Sequence, residues 1–533
     1  MGADASGAPD GRRADGRGFD AEEGADALHA DFANIYAALD LKVGSKPKGH
    51  LSKKRILKAF AAQGILPTDV RIKAMTDRLD AFDDGDEISL DQFTRICRPS
   101  FGLVERMAKD ELVIPDFRTF AGEIETIYER CLENGDGAVA DYIPQLARVE
   151  PEQMGVSFCT VDGQRANYGD SDAPFCVQSS CKPINYCMAL EALGEEEVHR
   201  HVGREPSGRS FNELALNHRY LPHNPMINAG AIMACSLIGR DKDLADRFDG
   251  VMRTWRALAG GDRPGYNNAV YLSEKATADR NFALAYFMRE NEAFPDDTDI
   301  LEVLDFYFQC CSIEMSTERM AVVAGTLASG GVCPTTGERV FSNDTVKDCL
   351  SLMYSCGMYD FSGEFAFSVG IPAKSGVSGV LMVVIPEVMG LAIWSPRLDK
   401  HGNSVRGVEF CKRLVKRFAF HNYDNIAERS DRIDPRRPRE REETDYTFHL
   451  IRAASQGDVN EISRLTAFGV DLGSADYDGR TALHLAASEG RADVVEFLLS
   501  RGVDPRPRDR WGHTPHDDAE RHKHDGIAAR LER

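Results

Sequence analysis

The strongest constraint on the fold of this chain is a 33-residue repeat near its carboxyl end. Thr481-Ala482-Leu483-His484 returns 33 positions later as Thr514-Pro515-His516, and Ala453-Ala454 returns at the same spacing as Ala486-Ala487. A fixed period of this length is typical of small helical units that bury their apolar faces by stacking on their neighbours. The last part of the chain is therefore predicted to be an all-α solenoid.

The core of this unit, TALHLAA, resembles the ankyrin repeat. Residues 447–533 hold about two and a half such units, fewer than the three that usually stand alone. We therefore expect the repeats to depend on the rest of the protein. Packing or contact between copies of the chain is one open role, and binding of a protein partner is the other.

Length and charge limit the class of protein. A chain of 533 residues suggests about three domains, and 42% hydrophobic with 28% charged residues is typical of a soluble globular protein. The net charge of −21 argues against a nucleic-acid binder and against adhesion to anionic lipid. The longest apolar run, Val380 to Trp394, contains Pro386 and Glu387 and is shorter than the ~20 residues of a membrane span. Thirteen cysteines without a CxxC pair predict reduced thiols in an intracellular protein.

Composition also divides the chain. We predict a disordered tail (1–25), a helical domain (26–135), a mixed domain (136–422), a charged linker (423–446) and the repeats (447–533). In the mixed domain, GVSFCTVDGQRANYGD predicts two strands around a turn at Asp162-Gly163, and FAFSVGIPAKSG, VSGVLMVVIP and GLAIWSP predict later strands. Helical patterns such as DLADRFDGVMRTWRALAG and ILEVLDFYFQCCSIEM lie between them. Strands at both ends around helices predict an α+β domain with an antiparallel sheet.

The amino-terminal tail has no apolar run of a secretory signal. Its arginines are typical of a mitochondrial leader, but its acidic residues are not. Gly2 and Ser6 fit the loose N-myristoylation pattern, and a plain disordered tail is the alternative.

Residues 83–88, DDGDEI, look like part of an EF-hand loop. Placing Ile88 at the eighth loop position puts Ala81 first and Gln92 twelfth, so the two strongest calcium positions lack carboxylates. We expect an EF-hand-like helical pair without a metal, with a calcium site as the alternative. We expect no metal or cofactor elsewhere in the chain.

The sharpest signal of chemistry is QSSCKP, residues 178–183. Ser179 and Lys182 are three residues apart and so share one helix face, while Pro183 fits only the first turn of a helix. A serine hydroxyl needs a base to act as a nucleophile, and Lys182 can serve if burial and the helix dipole lower its pKa. An ordinary exposed helix start is the alternative.

A second motif strengthens the first. Lys374-Ser375-Gly376 matches the Lys-Thr/Ser-Gly of penicillin-recognising serine hydrolases, which also use Ser-x-x-Lys. In those enzymes a backbone N–H just beyond this strand completes an oxyanion hole, and Val377 would supply it here. The pair of motifs predicts acyl transfer on a β-lactamase-like fold.

Longer motifs identify the family. They are Tyr142-Ile143-Pro144-Gln145, FCVQSSCKP, PHNPMINAG from Pro222, Asp279-Arg280-Asn281 and CGMYDFSG from Cys356. Together they closely resemble the serine-dependent glutaminases over about residues 30–533. The order of EF-hand-like region, catalytic domain and ankyrin repeats is similar to that of the animal kidney- and liver-type enzymes.

The resemblance implies hydrolysis of L-glutamine to L-glutamate and ammonia. It makes Ser179 the nucleophile, Lys182 its base and Tyr359 the group that passes the proton to ammonia. The N–H groups of Ser179 and Val377 would hold the oxyanion. The residues implied to position the substrate are Tyr142, Asn228, Glu274, Asn281 and Tyr307, with Ser179, Tyr359 and Val377 completing the site. A carboxylate suits the substrate ammonium, and amides and a phenol suit its carboxylate.

The resemblance also implies a homo-oligomer, either dimer or tetramer, in mitochondria or, since no clear leader is visible, in the cytoplasm. One segment departs from the family. In GRSFNELALN, Glu213 and Ala215 replace the basic and aromatic residues of the animal enzymes, while Phe211 and Leu214 are kept. Phosphate activation and the packing of a tetramer are therefore open.

Two other functions compete with this one. A β-lactamase or peptidase of the same fold is disfavoured because no secretion signal is seen, and because Glu274 and Asn281 suit a free amino acid. A non-catalytic scaffold that recruits partners through its repeats is disfavoured because the set of Ser179, Lys182 and Tyr359 is complete.

Overall fold

The computed structural model describes residues 32–33, 35–36, 39, 51–208, 213–424, 432–437, 439–467 and 470–532, without the side chains of 439–445, 464 and 467. The predicted tail with Gly2 and Ser6, most of the helical segment AALDLKVG, and Phe211 lie outside the described residues. The chain forms two compact units, 1–62 with 66–111 and 63–65 with 112–533.

The first unit is helical, as predicted. Its helices are α1 (Lys53–Ala62), α2 (Lys73–Leu79), α3 (Leu90–Cys97) and α4 (Phe101–Ala108), and its strands are β1 (Leu51–Ser52) and β2 (Glu87–Ile88). The strands pair antiparallel, with Leu51 opposite Ile88. The Gln92 side chain accepts a hydrogen bond from the Ser89 N–H (2.8 Å) in a capping box at the start of α3. At the twelfth loop position, Gln92 thus stabilises a helix end.

The second unit contains an antiparallel sheet. Its strands are β3 (Gly155–Thr160), β4 (Arg165–Gly169), β5 (Phe175–Cys176), β6 (Gly265–Tyr266), β7 (Ile313–Met315), β8 (Ala373–Ser375), β9 (Val380–Ile385) and β10 (Met389–Trp394). Five of them form a sheet in the order β4-β3-β10-β9-β8, and β5-β7-β6 form a smaller one. All the pairings are antiparallel, so the predicted α+β class and the β3–β4 hairpin are confirmed.

Thirteen described helices precede the repeats in this unit, and a few of them cover both faces of the larger sheet. The helices are α5 (Phe117–Leu132), α6 (Pro144–Ala147), α7 (Lys182–Leu193), α8 (Glu195–His201), α9 (Asn228–Leu237), α10 (Leu244–Leu258), α11 (Asn268–Ala276), α12 (Asp279–Glu290), α13 (Ile300–Cys311), α14 (Thr317–Ala328), α15 (Asn343–Cys356), α16 (Ser362–Ser368) and α17 (Val405–Arg417). Alternate residues of β9 enter two separate cores: one contains α14 and the other contains α5 and α17. Because both faces are covered, β9 and β10 are continuously apolar.

One predicted strand is partly wrong. FAFS, residues 365–368, ends helix α16, and only Ala373–Ser375 of that segment is a strand. Phe365 is buried in the sheet core while Phe367 is 83% exposed. Alternation of aromatic residues is compatible with a strand as well as with two faces of a short helix, so the pattern alone did not decide between them.

The repeats form three helix pairs, more than the two and a half units predicted. They are α18 (Arg439–Gln456) with α19 (Val459–Ala467), α20 (Ala482–Ser488) with α21 (Ala492–Ser500), and α22 (Pro515–Arg521) with α23 (Asp525–Leu531). Helix α18 includes residues that were predicted as linker. Ile433, also in the predicted linker, pairs with Phe418, and Pro435 is buried, so the described part of 423–446 is more ordered than a plain connector. No helix within the described ranges is long and apolar enough to cross a membrane.

Candidate active site

Ser179 lies in a tight turn between the small sheet and α7. Residues Gln178–Cys181 form a single 3-10 turn, and Pro183 follows in the first turn of α7, as the sequence predicted. The turn lies against the end of edge strand β8: a Cβ on Gly376 would come within 2.8 Å of the Val177 carbonyl oxygen. Only glycine allows this approach, and it brings the backbone of Val377 next to the turn that carries the half-buried Ser179.

Lys182 is the first residue of α7 and is completely buried. Its Nζ donates hydrogen bonds to Asn228 Oδ1 (2.7 Å) and to the Met226 carbonyl oxygen (3.4 Å). Burial penalises the ammonium form and lowers the pKa of Lys182 from 10.5 to about 8. A substantial fraction of neutral amine therefore exists near physiological pH, which is what a general base requires.

Tyr359 joins the nucleophile to the edge strand. Its side chain hydrogen bonds with that of Ser179, and its hydroxyl donates to the Ser375 carbonyl oxygen at 3.2 Å. Burial keeps the pKa of Tyr359 above 10, so the residue is a neutral phenol. The Tyr359 backbone has a φ of +52°, a rare conformation for a non-glycine residue that often marks functional sites.

Lys374 is the second completely buried lysine of this region. Its Nζ donates to the carbonyl oxygens of Gly357 (3.1 Å) and Ser375 (2.7 Å) and lies 4.5 Å from the centre of the Tyr359 ring. Burial, and then the charge of Lys182, push the pKa of Lys374 well below its usual value. Both lysines of the two sequence motifs are therefore buried, and the charge of the first acts on the second.

Two polar groups lie around the nucleophile. In the first, Glu274 on α11 accepts hydrogen bonds from the Tyr142 hydroxyl (2.6 Å) and the Gln178 side-chain amide (3.0 Å). Burial raises the pKa of Glu274, while these two donors oppose the rise. Tyr142 as a whole residue is 47% exposed, so this group lies between buried and open space. A carboxylate in such a setting has the chemistry to pair with a cation.

In the second group, Asn228 at the start of α9 is the central residue. Its Nδ2 donates to Asn281 Oδ1 (3.2 Å), and its Oδ1 accepts from Lys182 and, at 3.5 Å, from the Tyr307 hydroxyl. Amide N–H groups and a phenol are suited to bind a carboxylate. Hydrogen bonds thus connect most of the predicted residues in three small sets. The sets are Tyr142 with Glu274; Lys182 with Asn228, Asn281 and Tyr307; and Ser179 with Tyr359.

The side chain of Val377 packs on an apolar cluster that contains Ile143 and Cys176, and Cys176 lies two residues before the turn that carries Ser179.

A cavity of about 460 Å³ opens beside Tyr359 and is lined by Asn224, Met226, Ile227 and residues 206–208. Tyr359 is the predicted site residue that this cavity touches.

Two residues of this region were missing from the predicted site set. Gln178 was quoted only as part of a motif, and Lys374 only as a family marker. Gln178 has a φ of +47°, and this backbone conformation lets it bond Glu274 from the position before the nucleophile. The position of Gln178 beside Ser179, and the burial of a lysine in a predicted strand, were the signals available in the sequence.

Comparison with known proteins supports the same conclusion. The family model described as Glutaminase matches residues 137–423, more than half of the chain. The liver isoform, mitochondrial, of glutaminase from Rattus norvegicus is 45% identical over 471 residues, which is 87% of this chain and 78% of the rat protein. The chain belongs to the glutaminase family. It is thus an amidohydrolase, and the β-lactamase-like α+β fold expected from its motifs is confirmed.

Other comparisons cover parts of the glutaminase chain. A glutaminase from Nostoc sp. is 44% identical over 290 residues, 54% of this chain and 86% of the bacterial one. A solved structure titled Mglu in its glutamate form has a TM-score of 0.54 and 37% identity, covering 56% of this chain and 68% of the other. Models for an EF-hand domain and for three copies of the ankyrin repeat match residues 40–115 and 407–525. The family resemblance and the three-part organisation are therefore confirmed.

Proposed function

We propose that this glutaminase hydrolyses L-glutamine through a glutamyl ester on Ser179, with Lys182 as its general base. The observation that carries the proposal is the state of Lys182: it is fully buried, three residues after Ser179, and has a pKa of about 8. A lysine in that condition accepts a proton from a serine, whereas an exposed lysine does not.

In the first step, Ser179 Oγ attacks the side-chain amide carbon while its proton passes to Lys182. The amides of Ser179 and Val377, which the Gly376 contact brings together, hold the oxyanion. Tyr359, hydrogen bonded to Ser179, gives a proton to the departing nitrogen and takes the proton held by Lys182 in its place, and ammonia leaves. Water then attacks the ester: its hydroxyl joins the acyl carbon, its proton passes through Lys182 to Ser179 Oγ as the ester bond breaks, and the glutamic acid released gives its proton to solvent. Glutamine and water thus give glutamate and ammonia.

Substrate selection depends on the two polar groups. Glu274, with Tyr142 and Gln178, is suited to the α-ammonium, and Asn228, Asn281 and Tyr307 are suited to the α-carboxylate. A peptide-bonded residue lacks both free charges. A β-lactamase or peptidase function is therefore disfavoured, because Glu274 would be left without a cation in a buried setting.

The test is a substrate panel on the purified full chain. Ammonia and glutamate release from glutamine should exceed the reaction with asparagine, which is shorter by one methylene, and nitrocefin should not be opened. Glu274→Gln should raise KM for glutamine more than it lowers kcat, because the change removes an ammonium partner while Tyr142 and Gln178 keep an acceptor. Ring opening of nitrocefin at a rate comparable to glutamine hydrolysis would contradict the proposed site.

Assembly, partners and location are further proposals. We expect a homo-oligomer, dimer or tetramer, and a protein partner for the repeats. The rat relative is named mitochondrial, which supports a mitochondrial location over a cytoplasmic one. Light scattering of the purified chain, and microscopy of the tagged protein beside an organelle marker, test these proposals directly.

We expect phosphate to activate this enzyme only weakly. Glu213 adds a negative charge where the animal loop carries a positive one, and this charge repels anions. Titration with phosphate should change kcat little, and Glu213→Lys should increase the response. Strong phosphate activation of the unchanged chain would show that this charge does not decide the effect.

A further inference from the structure

Outside the catalytic domain, residues 504–510 carry three arginines at alternate positions. Along this segment, Asp504, Arg506, Arg508 and Arg510 are exposed, while the residues between them are wholly or partly covered. Asp509, for example, is only 7% exposed. The segment leads into a turn that the Gly512 N–H closes by donating to the Asp509 carbonyl oxygen (2.9 Å). Arg506, Arg508 and Arg510, here the arginine row, are thus all open to solvent on and before this turn.

Most carboxylates next to the arginine row accept hydrogen bonds from backbone N–H groups of the neighbouring turns. Asp509 Oδ1 accepts hydrogen bonds from the N–H groups of Trp511 (3.0 Å) and His513 (2.8 Å), and Asp504 Oδ1 accepts from the Arg506 N–H (3.0 Å). Asp478 is the exception, since it pairs with Arg510 at 2.7 Å. Within the described part of the chain, neither Arg506 nor Arg508 forms an ion pair, although Arg508 Nη1 donates to the Gly512 carbonyl oxygen at 2.7 Å. The three arginines and the two aspartates of 504–510 give this segment a positive charge in a chain whose net charge is −21.

Two exposed aromatic side chains adjoin the arginine row. The Arg510 guanidinium lies 4.4 Å from the Trp511 ring centre, and Trp511 is 54% exposed. Tyr477, 95% exposed, lies on the neighbouring turn, which is joined to the first by a hydrogen bond from the Arg510 N–H to the Asp478 carbonyl oxygen (2.8 Å). Tryptophan, tyrosine and arginine are the residues most enriched among the energetically dominant contacts of protein interfaces.

Backbone chemistry limits how a partner can bind here. Pro505 and Pro507 have no N–H, so this segment cannot accept a partner as an added β-strand. Recognition must use the side chains. In an extended peptide, carboxylates at every second residue lie on one side at a spacing of ~7 Å, and three of them present one anion for each arginine of the row. Guanidinium groups bind carboxylates with charge-assisted hydrogen bonds.

We propose that the arginine row, with Trp511 and Tyr477, binds an extended acidic segment of a partner protein that carries Glu or Asp at alternate positions. This inference rests on the proposed partner-binding role of the repeats and not on the glutaminase reaction. The overall negative charge disfavours nucleic acid and anionic membranes as the ligand.

Trp511 provides the measurement. The chain has three tryptophans, and Trp255 and Trp394 are 0% and 2% exposed, so Trp511 is the one that senses a ligand. The full chain is titrated with a nine-residue peptide of alternating Gly and Glu, with a peptide of the same composition whose Glu residues are consecutive, and with an alternating Gly–Lys peptide. We expect the alternating Glu peptide to change the Trp511 emission and to bind at least threefold more tightly than the consecutive one, and the Lys peptide not to bind.

Variants identify the surface. Replacing all three arginines of the row with Gln should weaken binding at least tenfold, and Arg501→Gln, an exposed arginine outside the row, should leave it unchanged. Trp511→Phe should remove the emission change. Glutamine hydrolysis should be the same in every variant, and this separates failure of the inference from failure of the enzyme.

Three results would overturn the inference. The first is no emission change and no heat of binding in calorimetry at millimolar peptide. The second is equal affinity for the alternating and consecutive peptides, which would indicate charge attraction without a register. The third is tighter binding of single-stranded RNA or of anionic vesicles than of the acidic peptide.

Discussion

Two regions of this protein place basic side chains in opposite environments. At the nucleophile, Lys182 and Lys374 are completely buried, and their pKa values fall because burial penalises the ammonium form. On the repeats, the arginine row is exposed to water. Lysine can lose its proton when buried, whereas arginine remains charged in either setting. The buried cations are therefore suited to proton transfer, and the exposed ones to attraction of anions.

The largest expected effect comes from replacing the buried Lys182 with an arginine, the kind of cation that is exposed on the repeats. Lys182→Arg keeps a long cationic side chain but cannot accept the Ser179 proton, and loss of a general base costs about 10²–10⁴ in rate. We expect kcat to fall by at least that factor, as it should for Ser179→Ala. Adding the second change to the first should reduce kcat little further, because the two residues act as a unit.

Steady-state kinetics on folded protein, checked by circular dichroism, make this measurement. The matched control is Lys347→Arg, an exposed lysine paired with Asp344 at 3.1 Å, which should keep wild-type activity. A kcat for Lys182→Arg near that of the wild type would leave only an electrostatic role for this lysine.

The next effect is on stability. Lys182 has a pKa of about 8 when folded and 10.5 as a free side chain, so between these values the unfolded chain binds more protons and stability rises with pH. At pH 7 the buried charge costs about 3 kcal/mol at 1.36 kcal/mol per pKa unit. Lys182→Met removes that cost and also the hydrogen bond to Asn228, worth about 1 kcal/mol. We expect a net gain of about 2 kcal/mol at pH 7, seen as a higher melting temperature.

The pH dependence of that gain is its control. The difference between Lys182→Met and the wild type should shrink as the pH rises from about 8 through 10.5, because the lysine becomes neutral first in the folded chain and then in the unfolded one. Arg506→Gln, on the exposed side of the comparison, should not change the melting temperature at any pH. A Lys182→Met protein that melts at a lower temperature than the wild type at pH 7 would show that other interactions of Lys182 compensate the free-energy cost of burying its charge.

The third effect is on the pH profile of catalysis. If neutral Lys182 is the base, kcat/KM should rise with pH through about 8, and at pH 7 should be about one tenth of its plateau. The charge of Lys182 lowers the pKa of Lys374, whereas the pKa of Lys182 is lowered by burial. Lys374→Met should therefore leave the rising limb in place. A limb that moves to higher pH in this variant would show that Lys374 is charged while Lys182 titrates.

The smallest expected effect comes from removing the exposed region. No residue assigned to chemistry lies beyond Val377, so loss of the repeats should change kcat by less than about twofold. The structure corrects where to cut: Ile433 pairs with Phe418 and Pro435 is buried, so the shortened chain should end at residue 437. A folded, soluble chain of this length without activity at any concentration would contradict independence, and loss only on dilution would indicate a role in assembly.

Several parts of this architecture were predictable because the determining interactions are local. Pro183 can occupy only the first turn of a helix, which places Ser179 just before α7. The 33-residue period required stacked helix pairs, and the hydrophobic runs required buried strands. The failures have the same origin. Residues 365–368 fit two kinds of element, and the order of Ile433 comes from an isolated backbone bridge to Phe418 that local sequence does not reveal.

By itself, the sequence determined which groups are present and in what order: a serine and a lysine at helical spacing, a second lysine in a strand, and a helical repeat. Only the tertiary structure decided their chemical state. The pKa of Lys182 near 8 depends on burial that no residue near it in sequence imposes, and Glu274 meets Tyr142 and Gln178 from three distant segments. Burial and convergence are properties of packing between distant elements, whereas spacing and repeat period are properties of the chain.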